Sequence, residues 1–317
     1  MTRLQKIIAV FIAAALLTTG AYAFYREKSE AGPKNGTPDD KLVVAASIFP
    51  LADIVRQVGG EKVQVISILA PGMSEHTYEP TPLAVKSVQK AAMFIKIGYG
   101  LDDWTDKIAQ SVDESLPIKD VSDGIVLPES EEEHGDEDVE KGVGFPDASY
   151  DPHYFLQLEN GAIIAETVAG FLSAADSKNA VTYLANAERY AKTLREEDAI
   201  IKQKFAFLPN KKIVTFHDAW YYFAKHYGLE ITGTFEPFAG REPSPQYLVD
   251  FIKQIREDEI KVLFTEPQFS SEAISQIADN LGIRLGVLDP IGGTAQTNSY
   301  LNLIKYNAET IYDALSQ

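Results

Sequence analysis

No cysteine occurs anywhere in the 317-residue chain. This excludes a disulfide framework, a thiolate metal site, a cysteine nucleophile and a lipid carried on a cysteine sulfur. Basic residues are scarce as well: 29 Lys and Arg stand against 46 Asp and Glu, a formal net charge of −17. Such a surface repels a phosphate backbone or an anionic bilayer, so nucleic acid is not expected as a partner. Histidine is limited to five residues. Metal chemistry would therefore draw on a few imidazoles and on carboxylates, and each histidine can be weighed by its place in the chain. Apolar residues are plentiful at 45%, enough for two compact units rather than one.

The first residues read as an address. Arg3 and Lys6 precede an apolar run from Ile7 to Leu17, and Ala21-Tyr22-Ala23 fits the small-x-small cleavage pattern, so residues 1–23 are expected to be a secretory signal. An uncleaved anchor is the alternative, because the run approaches the ~20 residues that span a bilayer. Residues 24–40 are polar and rich in Gly, Pro and Ser, a flexible leader. The expected location is periplasmic or otherwise extracytoplasmic. Residues 129–140, ESEEEHGDEDVE, form an acidic tract too charged to fold alone, with His134 inside it.

From Leu42 onward, short β-rich runs alternate with helical patterns. LVVAASI (42–48), KVQVISIL (62–69) and MFIKIG (93–98) are nearly continuous in apolar residues, as in strands buried on both faces of a parallel sheet. Helices are predicted from Pro50 to about Gly59, over 82–91 and over 103–113. The second half repeats the plan with KIVTF (212–216), a strand at 229–235, KVLFTE (261–266) and RLGVLD (284–289), interleaved with helices over 218–227, 246–257 and 271–281 and closed by a final one. Between the halves lie a helix over 161–174 and a longer amphipathic one over 178–205, roughly 42 Å long. Its apolar stripe is read as Val181, Leu184, Ala187, Ala191, Leu194, Ile201 and Phe205, and Asp176 or Ser177 is the expected cap. The fold class is thus α/β: two lobes with parallel sheets flanked by helices, joined by one long rigid helix. The expected boundaries are an N-terminal lobe over 41–160, a helical connector over 161–205 and a C-terminal lobe over 206–317.

Ligands of parallel α/β sheets gather beyond the carboxyl ends of the strands. His76, His153, His217, Glu266 and Asp289 all fall at strand ends or in loops on both halves, and can meet only in the cleft between lobes. A lone histidine after a strand is more often a hydrogen-bonding residue than a ligand; the case rests on the set. His226, late in a helix before Gly228, suits a structural role at the negative end of the helix dipole. Glu266 could orient a ligand histidine.

PGMSEHTYEP, DPHYF, TFHDAWYYFAKHYGL, GREPSP, FTEPQFS and LDPIGG follow one another in order along the chain. In this ordered set the sequence resembles the metal-binding solute receptors of ABC transporters, the cluster A-I or ZnuA/TroA-like family, from Lys41 to the C-terminus. The resemblance implies two α/β lobes joined by a long helix with a metal in the interlobe cleft. It implies His76, His153, His217 and Asp289 as metal ligands, with Glu75 an alternative beside the first histidine, and Glu266 close by. It also implies a membrane permease as partner and a monomeric receptor rather than an enzyme. The chain departs from the family in three ways: Tyr154-Phe155-Leu156-Gln157 replaces the usual Trp-Leu-Asp-Pro, the acidic 129–140 tract replaces a His-rich loop, and a cysteine pair of some relatives is missing.

Manganese members of that family usually carry Glu where this chain has His217. Three imidazoles and one carboxylate suit four-coordinate Zn²⁺, whereas Mn²⁺ favours more oxygen ligands, so zinc is the first choice of cargo and manganese the second. A metal-dependent surface adhesin is the alternative from another class. A zinc hydrolase would keep an open coordination position and a His-Glu-x-x-His helix, which this sequence lacks, and an organic-ligand receptor would call for a wider cleft lined by Arg and aromatics.

Overall fold

The computed structural model describes residues 41–125, 151–237 and 239–316. The signal and leader segments and the 129–140 tract with His134 lie outside the described residues. Among the described residues, no helix is long and apolar enough to cross a membrane.

The first sheet is built from β1 (Leu42–Ala46), β2 (Val63–Ser67), β3 (Met93–Lys96) and β4 (Ile118–Asp120). Helices α1 (Phe49–Gly59), α2 (Pro82–Ser87) and α3 (Trp104–Val112) connect them. After the described residues resume at Asp151, a 3₁₀ turn (His153–Leu156) leads into α4 (Leu158–Ala175), and a second (Ser177–Asn179) into α5 (Ala180–Ala206). The second sheet comprises β5 (Lys212–His217), β6 (Glu230–Glu236), β7 (Val262–Thr265) and β8 (Arg284–Val287). Its helices are α6 (Tyr221–Tyr227), α7 (Pro245–Glu257), α8 (Glu272–Leu281) and α9 (Tyr300–Leu315). Every strand pair is parallel, and the orders β2-β1-β3-β4 and β6-β5-β7-β8 show the same arrangement twice.

Local chemistry marks the helix starts. Thr81 Oγ1 accepts the Ala84 N–H, Ser244 Oγ the Tyr247 N–H and Ser299 Oγ the Asn302 N–H, with Pro82 and Pro245 in the first turns. Two expectations differ at this level. The β4 strand was not anticipated, because a three-residue, half-buried edge strand leaves no apolar run to read. The predicted 82–91 helix ends at Ser87, and helix α6 starts only at Tyr221, leaving residues 218–220 in an irregular turn after β5.

Helix α5 is the 27-residue connector. Its buried stripe is Tyr183, Ala187, Ala191, Leu194, Asp198, Ile201 and Phe205, the three-and-four spacing of one helix face. Val181 and Leu184, read from sequence as part of that face, are 82% and 55% exposed. They sit about 200° and 100° around the helix from Tyr183, which occupies the inward position instead. The Asp176 carboxylate accepts hydrogen bonds from Asn179 and Tyr183 side chains, while Asn179 stands at the cap without a capping side-chain bond. Ala187 and Ala191 leave little side chain on the buried face of α5, and the helix packs against both α4 and α1.

One close packing joins the last helix to the middle of the chain. Tyr300, at the start of α9, is fully buried. Its hydroxyl donates to the Phe155 carbonyl at 2.7 Å with the Gln157 carbonyl at 3.1 Å, and its backbone N–H is accepted by Asp53 at 2.8 Å. Gly161 provides the slot: a Cβ there would lie 2.3 Å from the Tyr300 hydroxyl. Alanine normally improves a helix interior over glycine by about 0.5–1 kcal/mol. At this site the clash should dominate, and Gly161→Ala is expected to destabilise the protein by about 1–3 kcal/mol, measured as a lower urea midpoint with an unchanged slope.

Candidate metal centre

Three distant stretches of chain deliver histidines to one place. His76 lies in the irregular loop after β2, where its backbone N–H reaches Ser74 Oγ at 3.3 Å. The same loop is held to its own lobe by Trp104, whose indole N–H donates to the Glu75 carbonyl at 3.2 Å and whose ring meets Tyr78 at 4.5 Å between centroids. His153 opens the 3₁₀ turn before α4, all four residues of which are buried. His217 is the last residue of β5, at the carboxyl end of the second sheet. The fold thus puts loop and strand ends of both sheets against one another, as parallel α/β architecture favours.

The ring centroids of His76, His153 and His217 are separated by 5.2, 5.4 and 5.4 Å, close to an equilateral triangle. The Nε2 atoms of His76 and His153 are 3.2 Å apart. Glu75 Oε1 lies 3.6 Å from the first and 3.7 Å from the second. One ligand atom from each of Glu75, His76, His153 and His217 falls within 4.8 Å of all the others, a group able to hold a metal ion. Glu75 Oε1 and His217 Nε2 are buried without a hydrogen-bond partner among the described residues. Buried polar atoms left unpaired are costly, and a shared cation would satisfy both.

Carboxylates behind two of the rings decide which nitrogen faces inward. Asp151 Oδ1 lies 2.7 Å from His153 Nδ1 and also accepts the His153 backbone N–H at 2.9 Å. Glu266 Oε2 lies 2.5 Å from His217 Nδ1, while its Oε1 accepts the Trp220 indole N–H at 3.0 Å. A carboxylate at Nδ1 keeps the proton there and turns the Nε2 lone pair toward the group. Asp151 escaped the sequence reading; the Asp-x-His spacing of DPH, which lets one carboxylate meet both the backbone and the ring of the histidine, was the available signal.

The electrostatics are polarised. Burial opposes ionisation of Glu75, but the three rings outweigh it and bring its pKa down to about 2. Burial, aided by the neighbouring rings, lowers His76 to about 3 despite Glu75. Burial alone would lower His153 too, yet Asp151 and Glu75 carry it up to about 10. Without a cation the group therefore holds an anionic Glu75, a neutral His76 and a protonated His153, whose Nε2–H can donate to His76 Nε2.

The other sequence candidates are not among the four gathered side chains. Asp289 lies two residues beyond β8 and is not among the four gathered side chains. Its Oδ1 accepts from Ile291 N–H, Gly292 N–H and the Gln268 side chain at 3.1, 2.8 and 2.9 Å, organising the turn that follows. Glu266 touches His217 from behind rather than joining the group. His226 bridges structure rather than merely facing a helix dipole: its Nδ1 lies 2.8 Å from Gln157 Nε2 and its Nε2 2.7 Å from Asp198 Oδ1 on α5.

Two parallel-sheet lobes around a buried His/Glu group define a metal-binding solute receptor. The chain belongs to the family described as the zinc-uptake complex component A, periplasmic, whose model matches residues 44–314. This is a non-enzymatic family of ABC-transporter receptors for metal ions. A manganese ABC transporter substrate-binding lipoprotein, PsaA of Streptococcus pneumoniae, is 28% identical over 331 aligned positions covering all of both chains. The crystal structure of a zinc-bound ZnuA deletion mutant superposes with a TM-score of 0.75 at 26% identity, over 88% of this chain and 99% of the other. The receptor FpvC of P. aeruginosa with Ni²⁺ gives a TM-score of 0.73 at 26% identity, over 87% and 97%. Unlike a lipoprotein lipidated on sulfur, this chain offers no cysteine for the attachment.

In metal-free protein, Asp151→Asn leaves burial opposed mainly by Glu75. The His153 pKa is then expected to fall from about 10 to below the ordinary imidazole value of about 6.5, read by NMR titration of the ring protons.

Proposed function

We propose that the protein is an extracytoplasmic Zn²⁺ receptor that captures the ion between its lobes and delivers it to an ABC permease. The observation that carries this reading is the convergence of His76 Nε2, His153 Nε2 and Glu75 Oε1 at separations of 3.2, 3.6 and 3.7 Å around the orphaned His217 Nε2. A tetrahedral zinc with bonds of about 2.0–2.1 Å has its ligand atoms about 3.3–3.4 Å apart. In this reading Glu75, His76, His153 and His217 are the ligands, and Glu75 takes the place that the family resemblance assigns to Asp289. Four protein ligands complete the tetrahedron and leave no position for a reactive water, which suits carriage rather than hydrolysis. Asp151 and Glu266 raise the donor strength of the rings they hold. The excess of 46 acidic over 29 basic residues attracts cations to the surface and speeds capture.

Manganese is the second reading, favoured by the name of the S. pneumoniae relative. The three imidazoles weigh against it, because Mn²⁺ prefers oxygen ligands and higher coordination. Metal analysis of protein purified without added metal, followed by Zn²⁺ and Mn²⁺ competition, decides between them.

His76→Ala or His217→Ala is expected to weaken zinc binding by about tenfold or more, measured against a chelating dye; unchanged affinity in both would remove the assignment. His226→Ala should keep zinc affinity and instead lower thermal stability through loss of the Asp198 and Gln157 contacts. Acidity gives a further check. His153 is protonated below about pH 10, so zinc uptake at neutral pH expels that proton and protons compete with the metal. Apparent affinity should thus rise with pH, about tenfold per pH unit for one released proton. A flat profile from pH 6.5 to 8.5 would contradict His153 as a ligand.

A further inference from the structure

The three histidines are not held alike. The side chains of His153 and His217 are 0% and 2% exposed, and each has a carboxylate on Nδ1. His76 is 16% exposed, and its Nδ1 makes no hydrogen bond among the described residues. Its loop belongs to neither a helix nor a strand. Trp104 and Tyr78 fix the Glu75 backbone within the first lobe, but no carboxylate holds the His76 ring from behind as Asp151 and Glu266 hold the other two.

The second lobe also meets this loop. Gly240, after β6, has φ +74°, and its N–H is accepted by Glu236 Oε2 at 3.1 Å. A Cβ on Gly240 would lie 2.8 Å from Thr77 Cγ2, the one atom among the described residues, its chain neighbours aside, within 4 Å. Gly293, in the turn after β8, has φ +89°, and a Cβ there would lie 2.9 Å from Pro71 Cγ and 3.3 Å from the Phe49 ring. Thr77 is the residue next to His76, and Pro71 opens the same loop. Two glycines of the second lobe therefore close on this loop on either side of His76, at Thr77 and at Pro71. Such short separations are available only where the side chain is hydrogen.

We infer that Gly240 and Gly293 are positioning residues for His76, seating it by backbone contact across the cleft in place of the carboxylate that the other two rings have. This rests on the zinc-receptor reading and assigns His76 as the ligand whose engagement coincides with lobe closure. Opening the cleft withdraws both glycines at once and frees His76, while His153 and His217 stay oriented by Asp151 and Glu266. A side chain at either glycine would hold the loop away and leave the ion with an incomplete set of donors.

The test uses the intact protein loaded with zinc, with release followed by stopped flow into excess chelating dye, and with Co²⁺ as a visible-absorption probe of coordination. Gly240→Ala and Gly293→Ala are each expected to speed zinc loss by about tenfold and to shift the Co²⁺ spectrum toward that of His76→Ala. Gly282→Ala, with φ +68° and, its chain neighbours and own helix backbone aside, no atom among the described residues within 4 Å of its added Cβ, controls for backbone strain and should release at the parent rate. Thr77→Ser removes the methyl that the Gly240→Ala side chain meets, so the double variant should return to within about twofold of the parent. Parent-like release and spectra in both glycine variants would overturn the inference, as would fast release in Gly240→Ala that Thr77→Ser does not reverse. Should His76→Ala itself release zinc no faster than the parent, the ligand set would fall, and this inference with it. If His76→Ala releases fast and the glycine variants do not, only the positioning role is lost.

Discussion

Lone pairs buried face to face repel one another unless positive charge lies between them. The structure gathers three imidazole nitrogens and a carboxylate oxygen under that constraint, two of these atoms having no hydrogen-bond partner among the described residues. Without metal, a proton on His153 meets part of the demand: Asp151 and Glu75 raise its pKa to about 10, while burial and the neighbouring rings lower that of His76 to about 3. A divalent cation answers the same demand more fully. Affinity and proton competition are thus two expressions of one electrostatic arrangement.

The fold serves this arrangement by carrying its parts on separate supports. His217 ends a central strand, and Glu266 follows the neighbouring β7 strand, so the pair is referenced to the second sheet. The turn bearing His153 is tied in three directions: Tyr154 donates to the Ile97 carbonyl in the first lobe, Tyr300 donates to Phe155 from α9, and Gln157 contacts His226 on α6. His226 in turn meets Asp198, the charged residue in the buried stripe of α5. The connector and the metal centre are consequently parts of one hydrogen-bonded framework rather than a scaffold with a site placed upon it.

Much of this was legible from residue order, for identifiable reasons. Buried parallel strands advertise themselves as apolar runs, so β1, β3, β5 and β7 could be read, whereas β4, a short Ile-Lys-Asp edge strand, could not. The inward stripe of α5 was read well from Ala187 onward. It failed at Val181 and Leu184 because an apolar residue at a helix start does not reveal whether anything covers it. Among candidate site residues, histidines beyond strand ends were conspicuous by position, and the structure brings all three together with Glu75. Asp289 also stands beyond a strand end, and there the N–H groups of Ile291 and Gly292 engage its carboxylate through a local turn. Asp151 was overlooked because its role depends on a ring orientation that spacing alone does not reveal.

The length of α5 has a mechanical corollary. With 27 residues, the connector is a lever of about 40 Å, for which each degree of tilt at one end displaces the other by about 0.7 Å. A metal–ligand bond of about 2 Å is lost once its partners part by a comparable distance. Some three degrees of swing would then suffice to uncouple the lobes' donors. A connector that cannot fold like a hinge can still let go of its cargo, because leverage substitutes for flexibility.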